Sequence, residues 1–222
     1  MKTGTKERSY QIILFLDLIK LSFFSNSKLN IIIKIRVSLY TYIIEKYVMT
    51  RIVLFDLGDT LEHNGVLRED ALETLNRIKS MENPPILGLA PDFGLPHDPP
   101  PTPEEQIRIS QQHYFSILSD LQIDQFFNPL QQNVTLSTEV GKTKSEDIKK
   151  FFQTAINKIS NTNFNEIIFI TENIDHIRSA NSLGVKTIFL KLENNSSQTN
   201  GTYTISNLIE SLNLIEGLLN SS

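Results

Sequence analysis

From Arg51 onward, short apolar runs alternate with amphipathic stretches, and this alternation constrains the fold more than any other feature of the 222-residue chain. The apolar runs are IVLF (52–55), ILGLA (86–90), NVTLS (133–137), IIFIT (167–171) and VKTIFL (185–190). Each has the length and bounding turn residues of a buried strand. Between and after them, helical spacing predicts helices at about 67–81, 104–121, 145–159, 174–184 and 206–220. In the first of these, Leu72, Leu75, Ile78 and Met81 supply the apolar stripe. Strands joined through helices require crossover connections, hence a parallel sheet with helices on both faces. The expected fold class is therefore α/β, a three-layer α/β/α arrangement around a Rossmann-like parallel sheet.

In such sheets ligands bind beyond the carboxyl ends of the strands. Four segments follow predicted strands: Asp56–Thr60, Pro91–Phe93, Ser137–Lys144 and Glu172–His176. Asp56 closes the first strand and opens FDLGDTLEHNG (55–65), a loop with a carboxylate, a glycine, a second carboxylate and a hydroxyl. A carboxylate in that place has the chemistry of a nucleophile or a cation ligand. Lys144 stands at a helix start, where a cation can offset that charge.

These four segments, in order and spacing, resemble the four motifs of the haloacid dehalogenase (HAD) superfamily of hydrolases and phosphatases over residues 51–220. The resemblance implies that Asp56 is the nucleophile that forms an aspartyl-phosphate, with Thr60 and Lys144 as catalytic partners. It implies Mg²⁺ as cofactor, held by Asp56, the backbone carbonyl of Gly58, Glu172 and Asp175. The family's acid/base residue stands two places after the nucleophile, where this chain has Gly58. Asp59, one place later, is the residue that could supply the carboxylate if the loop is re-aimed. At the second motif Pro91 replaces a hydroxyl residue and offers no backbone N–H. At the fourth, Glu172 replaces an aspartate, and His176 occupies a usual aspartate place and reads as a polar residue on the helix's first turn.

The leading expectation is thus a Mg²⁺-dependent phosphatase of a small phosphorylated metabolite. The alternatives are a catalytically weak or inactive HAD-fold protein with a binding or regulatory role, and a carbon–halogen hydrolase that needs no metal. The short gap between the first two motifs leaves no room for a large cap there. Residues 94–132, with the Pro-rich stretch LPHDPPPTPEE (95–105), form either a small cap or a sheet-covering insertion.

Charge divides the chain at the same boundary. Residues 1–48 carry a net +5, which leaves −9 for the rest of a chain whose total is −4. An acidic body argues against a nucleic-acid-binding surface. The apolar run IILFL (12–16) is too short for a membrane span. Residues 1–48 are read as a basic extension outside the functional domain at 49–222, which implies a cytoplasmic protein; a mitochondrial presequence is the alternative. The absence of cysteine excludes disulfides and thiolate chemistry.

Overall fold

In the computed structural model, the residues described are 51–93, 102–160, 162–192 and 203–220. The basic extension 1–48 and the Pro-rich residues 94–101 lie outside them. Strand β1 (Ile52–Phe55) is followed by a small hairpin, β2 (Glu62–His63) and β3 (Val66–Leu67), and by helix α1 (Ala71–Lys79). Strand β4 (Ile86–Leu89) leads to α2 (Pro103–Asp120), then to the short helices α3 (Leu130–Asn133) and α4 (Ser137–Val140) and to α5 (Lys144–Ile159). Strand β5 (Ile167–Thr171), α6 (Ile174–Ser182), β6 (Lys186–Leu190), β7 (Tyr203–Ile205) and α7 (Ser211–Asn220) complete the chain.

The main sheet has the order β4-β1-β5-β6-β7, with every neighbour parallel. Because side chains alternate along a strand, its two faces feed two cores. Val53 and Phe55 of β1 join Leu87, Leu89, Ile168 and Ile170 beneath α1, α2 and α7. Ile52 and Leu54 join Ile167 and Phe169 beneath α5 and α6. The three-layer α/β/α expectation and its Rossmann-like parallel sheet hold. Gly88 is required by the packing of the second face. A Cβ there would lie 2.6 Å from Leu54 Cδ2 and 3.1 Å from the Asn133 carbonyl oxygen.

Three local expectations are corrected. NVTLS (133–137) does not form a regular strand. Val134 makes one isolated parallel bridge to Leu89, and the Thr135 N–H donates to the Leu89 carbonyl at 2.9 Å. The next N–H, that of Leu136, donates instead to the Glu139 carboxylate at 2.8 Å, so the chain leaves the sheet and turns into α4. The helix expected over 67–81 begins at Ala71, because Val66 and Leu67 belong to the hairpin. Its buried stripe is Ala71, Leu75 and Ile78, whereas Leu72 is exposed. The helix expected over 206–220 begins at Ser211, after the three-residue strand β7 and a single tight turn at Leu208–Glu210.

The hairpin had a legible signal. Asn64 and Gly65 both have positive φ, 53° and 78°, the geometry of the two-residue turn that Asn-Gly favours. Within the insertion, α2 places Tyr114 and Leu118 in the first core, beside Ile123, Phe126 and Phe127.

Candidate active site

Asp56 sits where β1 ends, and pairing to both neighbouring strands fixes its position. Its N–H donates to the Ile170 carbonyl at 3.0 Å, while the Ala90 N–H donates to Phe55 at 2.9 Å. The side chain is buried, and Lys144 lies against it, itself only 1% exposed. The Lys144 ammonium donates to Asp56 Oδ2 and to the Ala90 carbonyl, the latter at 2.6 Å. It also lies 5.6 Å from the ring centre of Phe169 and 6.0 Å from that of Phe151. These faces suit a cation cut off from water.

The start of α5 is what delivers Lys144. Glu146 accepts from the Thr143 N–H at 2.8 Å, and Asp92 accepts the Lys144 N–H at 2.7 Å. Donors that a helix start leaves unpaired thus find carboxylates. Asp92 also accepts from Ser137 Oγ at 3.3 Å. Although Pro91 has neither hydroxyl nor N–H, the residue after it does organise this loop.

His176 is likewise drawn inward. Asn173 caps α6 by accepting from the N–H groups of Asp175 and His176, at 3.0 and 3.2 Å. The imidazole, 6% exposed, lies between two carboxylates. Its Nδ1 is 3.6 Å from Asp56 Oδ2, and its Nε2 is 3.3 Å from Asp92 Oδ2. His176 is thus on the helix's first turn as expected, but buried against two carboxylates. Asp92 and His176 are site residues that sequence reasoning missed. Their signal was placement alone, since each follows a strand end.

Electrostatics follow from this packing. Burial would push the Asp56 carboxyl up, but Lys144 and His176 outweigh it and hold the group below the ordinary carboxylate range. Burial would depress His176, yet Asp56 and Asp92 outweigh it and raise its proton affinity. Asp92 is lowered, its partial burial offset by His176 and the Lys144 N–H.

A layer of hydroxyls links Asp56 to Glu172. Thr60 Oγ1 donates to Glu172 Oε2 at 2.5 Å, and the Glu172 N–H donates back to Thr60 at 3.3 Å. Thr171 Oγ1 lies 3.2 Å from Asp56 Oδ2 and 3.4 Å from Glu172 Oε2. One hydroxyl carries one hydrogen, so two carboxylates compete for it. Burial and the charge of Asp56 accordingly raise the Glu172 carboxyl.

Among the described residues Glu172 has no ion-pair partner, so its charge is left for a cation to meet. Asp56, Glu172 and the carbonyl of Gly58 offer hard oxygen donors of the kind Mg²⁺ takes while keeping several waters. In donor chemistry they suit Mg²⁺. Among the described residues no group of three or more His, Asp or Glu side chains converges to cage an ion. The structure does not bring Asp175 to this set, because its exposed carboxylate pairs with Arg178 at 3.0 Å. It does not bring Asp59 there either. Asp59 takes positive φ, 57°, and its half-exposed carboxylate pairs with His63 on the hairpin. Asp56, Thr60, Lys144 and Glu172, by contrast, form one contiguous cluster.

No protein-family model matches the chain, and no curated protein matches it. Solved structures do. A crystal structure of a dehalogenase superimposes with a TM-score of 0.50 at 18% identity, over 68% of this chain and 57% of that one. A haloacid dehalogenase-like family hydrolase from Streptococcus pneumoniae superimposes with a TM-score of 0.53 at 10% identity, over 74% of this chain and 97% of that one. The chain thus spans little more than half the length of the dehalogenase. The chain has the HAD-like fold. Among the described residues no helix is long and apolar enough to cross a membrane.

Proposed function

We propose that the chain is a HAD-type phosphatase that hydrolyses a small phosphorylated metabolite through an aspartyl-phosphate on Asp56. One observation carries this reading: a buried carboxylate at the strand end is held ionised by a buried lysine and braced on one oxygen. Oδ2 receives Lys144 and Thr171, whereas Oδ1 accepts only the Leu57 N–H, at 3.0 Å, among the described hydrogen bonds. Oδ1 is then the oxygen free to attack phosphorus.

Lys144 keeps the nucleophile ionised and offsets charge on the transferring group. Thr60 fixes Glu172, and Asp92 fixes both Lys144 and His176. Mg²⁺, held by Asp56, Glu172 and the Gly58 carbonyl, would supply Lewis-acid neutralisation of the phosphoryl oxygens. The small-phosphoester substrate class rests on this charge pattern and on the HAD-like fold.

A specific observation favours a second reading, a catalytically weak HAD-fold protein that binds without turnover. Pro91 is buried at the strand end, with neither a hydroxyl nor an N–H to offer a phosphoryl group. Phosphate release by the full chain from a panel of small phosphate esters, with and without Mg²⁺, separates the two. Release that is Mg²⁺-dependent and lost in a folded Asp56→Asn variant supports catalysis. No release, or release that survives the substitution, overturns it.

A further inference from the structure

An aspartyl-phosphate route needs a proton at the leaving oxygen and then a base for water. The carboxylates around Asp56 are largely committed: Glu172 to Thr60, and Asp92 to Lys144 and Ser137. Glu62, in the hairpin strand β2, is placed differently. Its Oε2 accepts the Gly65 N–H at 2.7 Å, which holds the carboxylate back toward the chain it came from. Its Oε1 lies 3.7 Å from where a Cβ at Gly58 would stand, and is the nearest atom to that point outside the adjoining residues. A side chain on residue 58 would therefore point into space that the Glu62 carboxylate borders.

We propose that Glu62 is the general acid and base of the Asp56 reaction, and that the Asn64-Gly65 hairpin exists to present it. The assignment rests on the phosphatase reading above. In the first half-reaction Asp56 Oδ1 forms a bond to phosphorus and the bond to the leaving oxygen breaks. That oxygen keeps the bonding pair and takes the proton from Glu62 Oε1. In the second, the Glu62 carboxylate takes a proton from water, whose oxygen attacks phosphorus. The bond to Asp56 breaks with its pair returning to Asp56, and inorganic phosphate leaves.

Tyr114 stands in the first core beneath the same sheet face. Its hydroxyl is buried without a partner among the described residues. Burial first, then the charges of Asp56 and Glu62, push this phenol well up. The charges of both carboxylates thus bear on one enclosed hydroxyl. The edge contact of Tyr114 with Phe93, ring centres 5.4 Å apart, sets that hydroxyl's helix against the loop that follows β4.

The test uses the full-length protein with Mg²⁺ and two esters, an aryl phosphate with a good leaving group and an alkyl phosphate with a poor one. Glu62→Gln preserves shape and the hydrogen bond from Gly65. It should lower kcat/KM for the alkyl ester by about 100-fold or more and for the aryl ester by about 10-fold or less. Gly58→Asp in the Glu62→Gln background should restore alkyl-ester turnover, which no purely structural role of Glu62 would allow. Equal losses on both esters, or no loss, with Asp56→Asn still inactive, overturn the Glu62 assignment alone. If wild type releases nothing, or Asp56→Asn still works, the phosphatase reading fails and this assignment with it.

Discussion

Two Asp–His contacts lie side by side in this molecule and differ in almost everything but residue type. Asp56 and His176 meet at 3.6 Å beyond the strand ends, with side chains only 9% and 6% exposed. Asp59 and His63, three and seven residues after Asp56, meet on the hairpin with side chains 50% and 63% exposed. In the buried pair, each group's proton affinity is reset by the other and by Lys144 and Asp92. In the exposed pair, water screens the charges and the contact contributes little. The tighter-looking contact is the weaker device. What makes a carboxylate a candidate nucleophile is enclosure with a matched cation, and sequence adjacency to the motif does not supply that.

The largest expected effect is on turnover. Asp56→Asn should lower kcat by about 10³-fold or more, since a carboxamide cannot form the acyl phosphate. Circular dichroism should show a folded protein. Lys144→Met comes next and is read on stability. Removing one member of a buried pair leaves Asp56 uncompensated, at a cost of about 3–5 kcal/mol in urea unfolding. A loss under about 1 kcal/mol would mean that Lys144 is not the group that balances Asp56.

A middle-sized effect is expected in the pH profile of stability, measured without Mg²⁺. Asp56 and Asp92 sit below the ordinary carboxyl value of 3.8, so their contribution is present above it and fades as pH falls through the lowered values. His176 is raised above 6.5, so its contribution is whole below that and fades as pH rises through the raised value. Glu172 is raised from 4.5 and fades in the same direction, beginning lower. Urea midpoints should therefore fall on both flanks. Glu172→Gln should remove the earlier part of the alkaline loss, because a neutral amide oxygen still accepts from Thr60. The smallest effect belongs to the hairpin pair. Asp59→Asn tolerates the left-handed backbone and should change stability by no more than about 1 kcal/mol. Its kcat should stay within about threefold of wild type. A large loss there would return the acid/base role to Asp59.

The comparison also explains what could be seen in the sequence. β1, β4, β5 and β6 were legible because buried strands leave continuous apolar runs, and Asp56 followed from its place at the end of the first. Lys144 was legible from the helix start that carries it. Asp92 and His176 were not, because their roles depend on a cap at Asn173 and on where α5 begins, which bring together residues far apart in the chain. Asp59 was drawn into the candidate set by adjacency, yet its positive φ turns it toward His63. Glu62 was passed over, although Asn64-Gly65 marks a turn that returns the chain toward the site. NVTLS read as a strand because its composition suits one; the Glu139 carboxylate, which takes the Leu136 N–H, ended it after a single bridge.

The central claim is that Asp56 becomes phosphorylated during turnover. The most direct measurement is peptide mass spectrometry of wild-type protein, acid-quenched during reaction with a small phosphate ester and Mg²⁺. The account predicts a phosphoryl adduct on Asp56, absent from the Asp56→Asn protein treated alike. Steady phosphate release with Asp56 unmodified, or with the adduct on another residue, would contradict it.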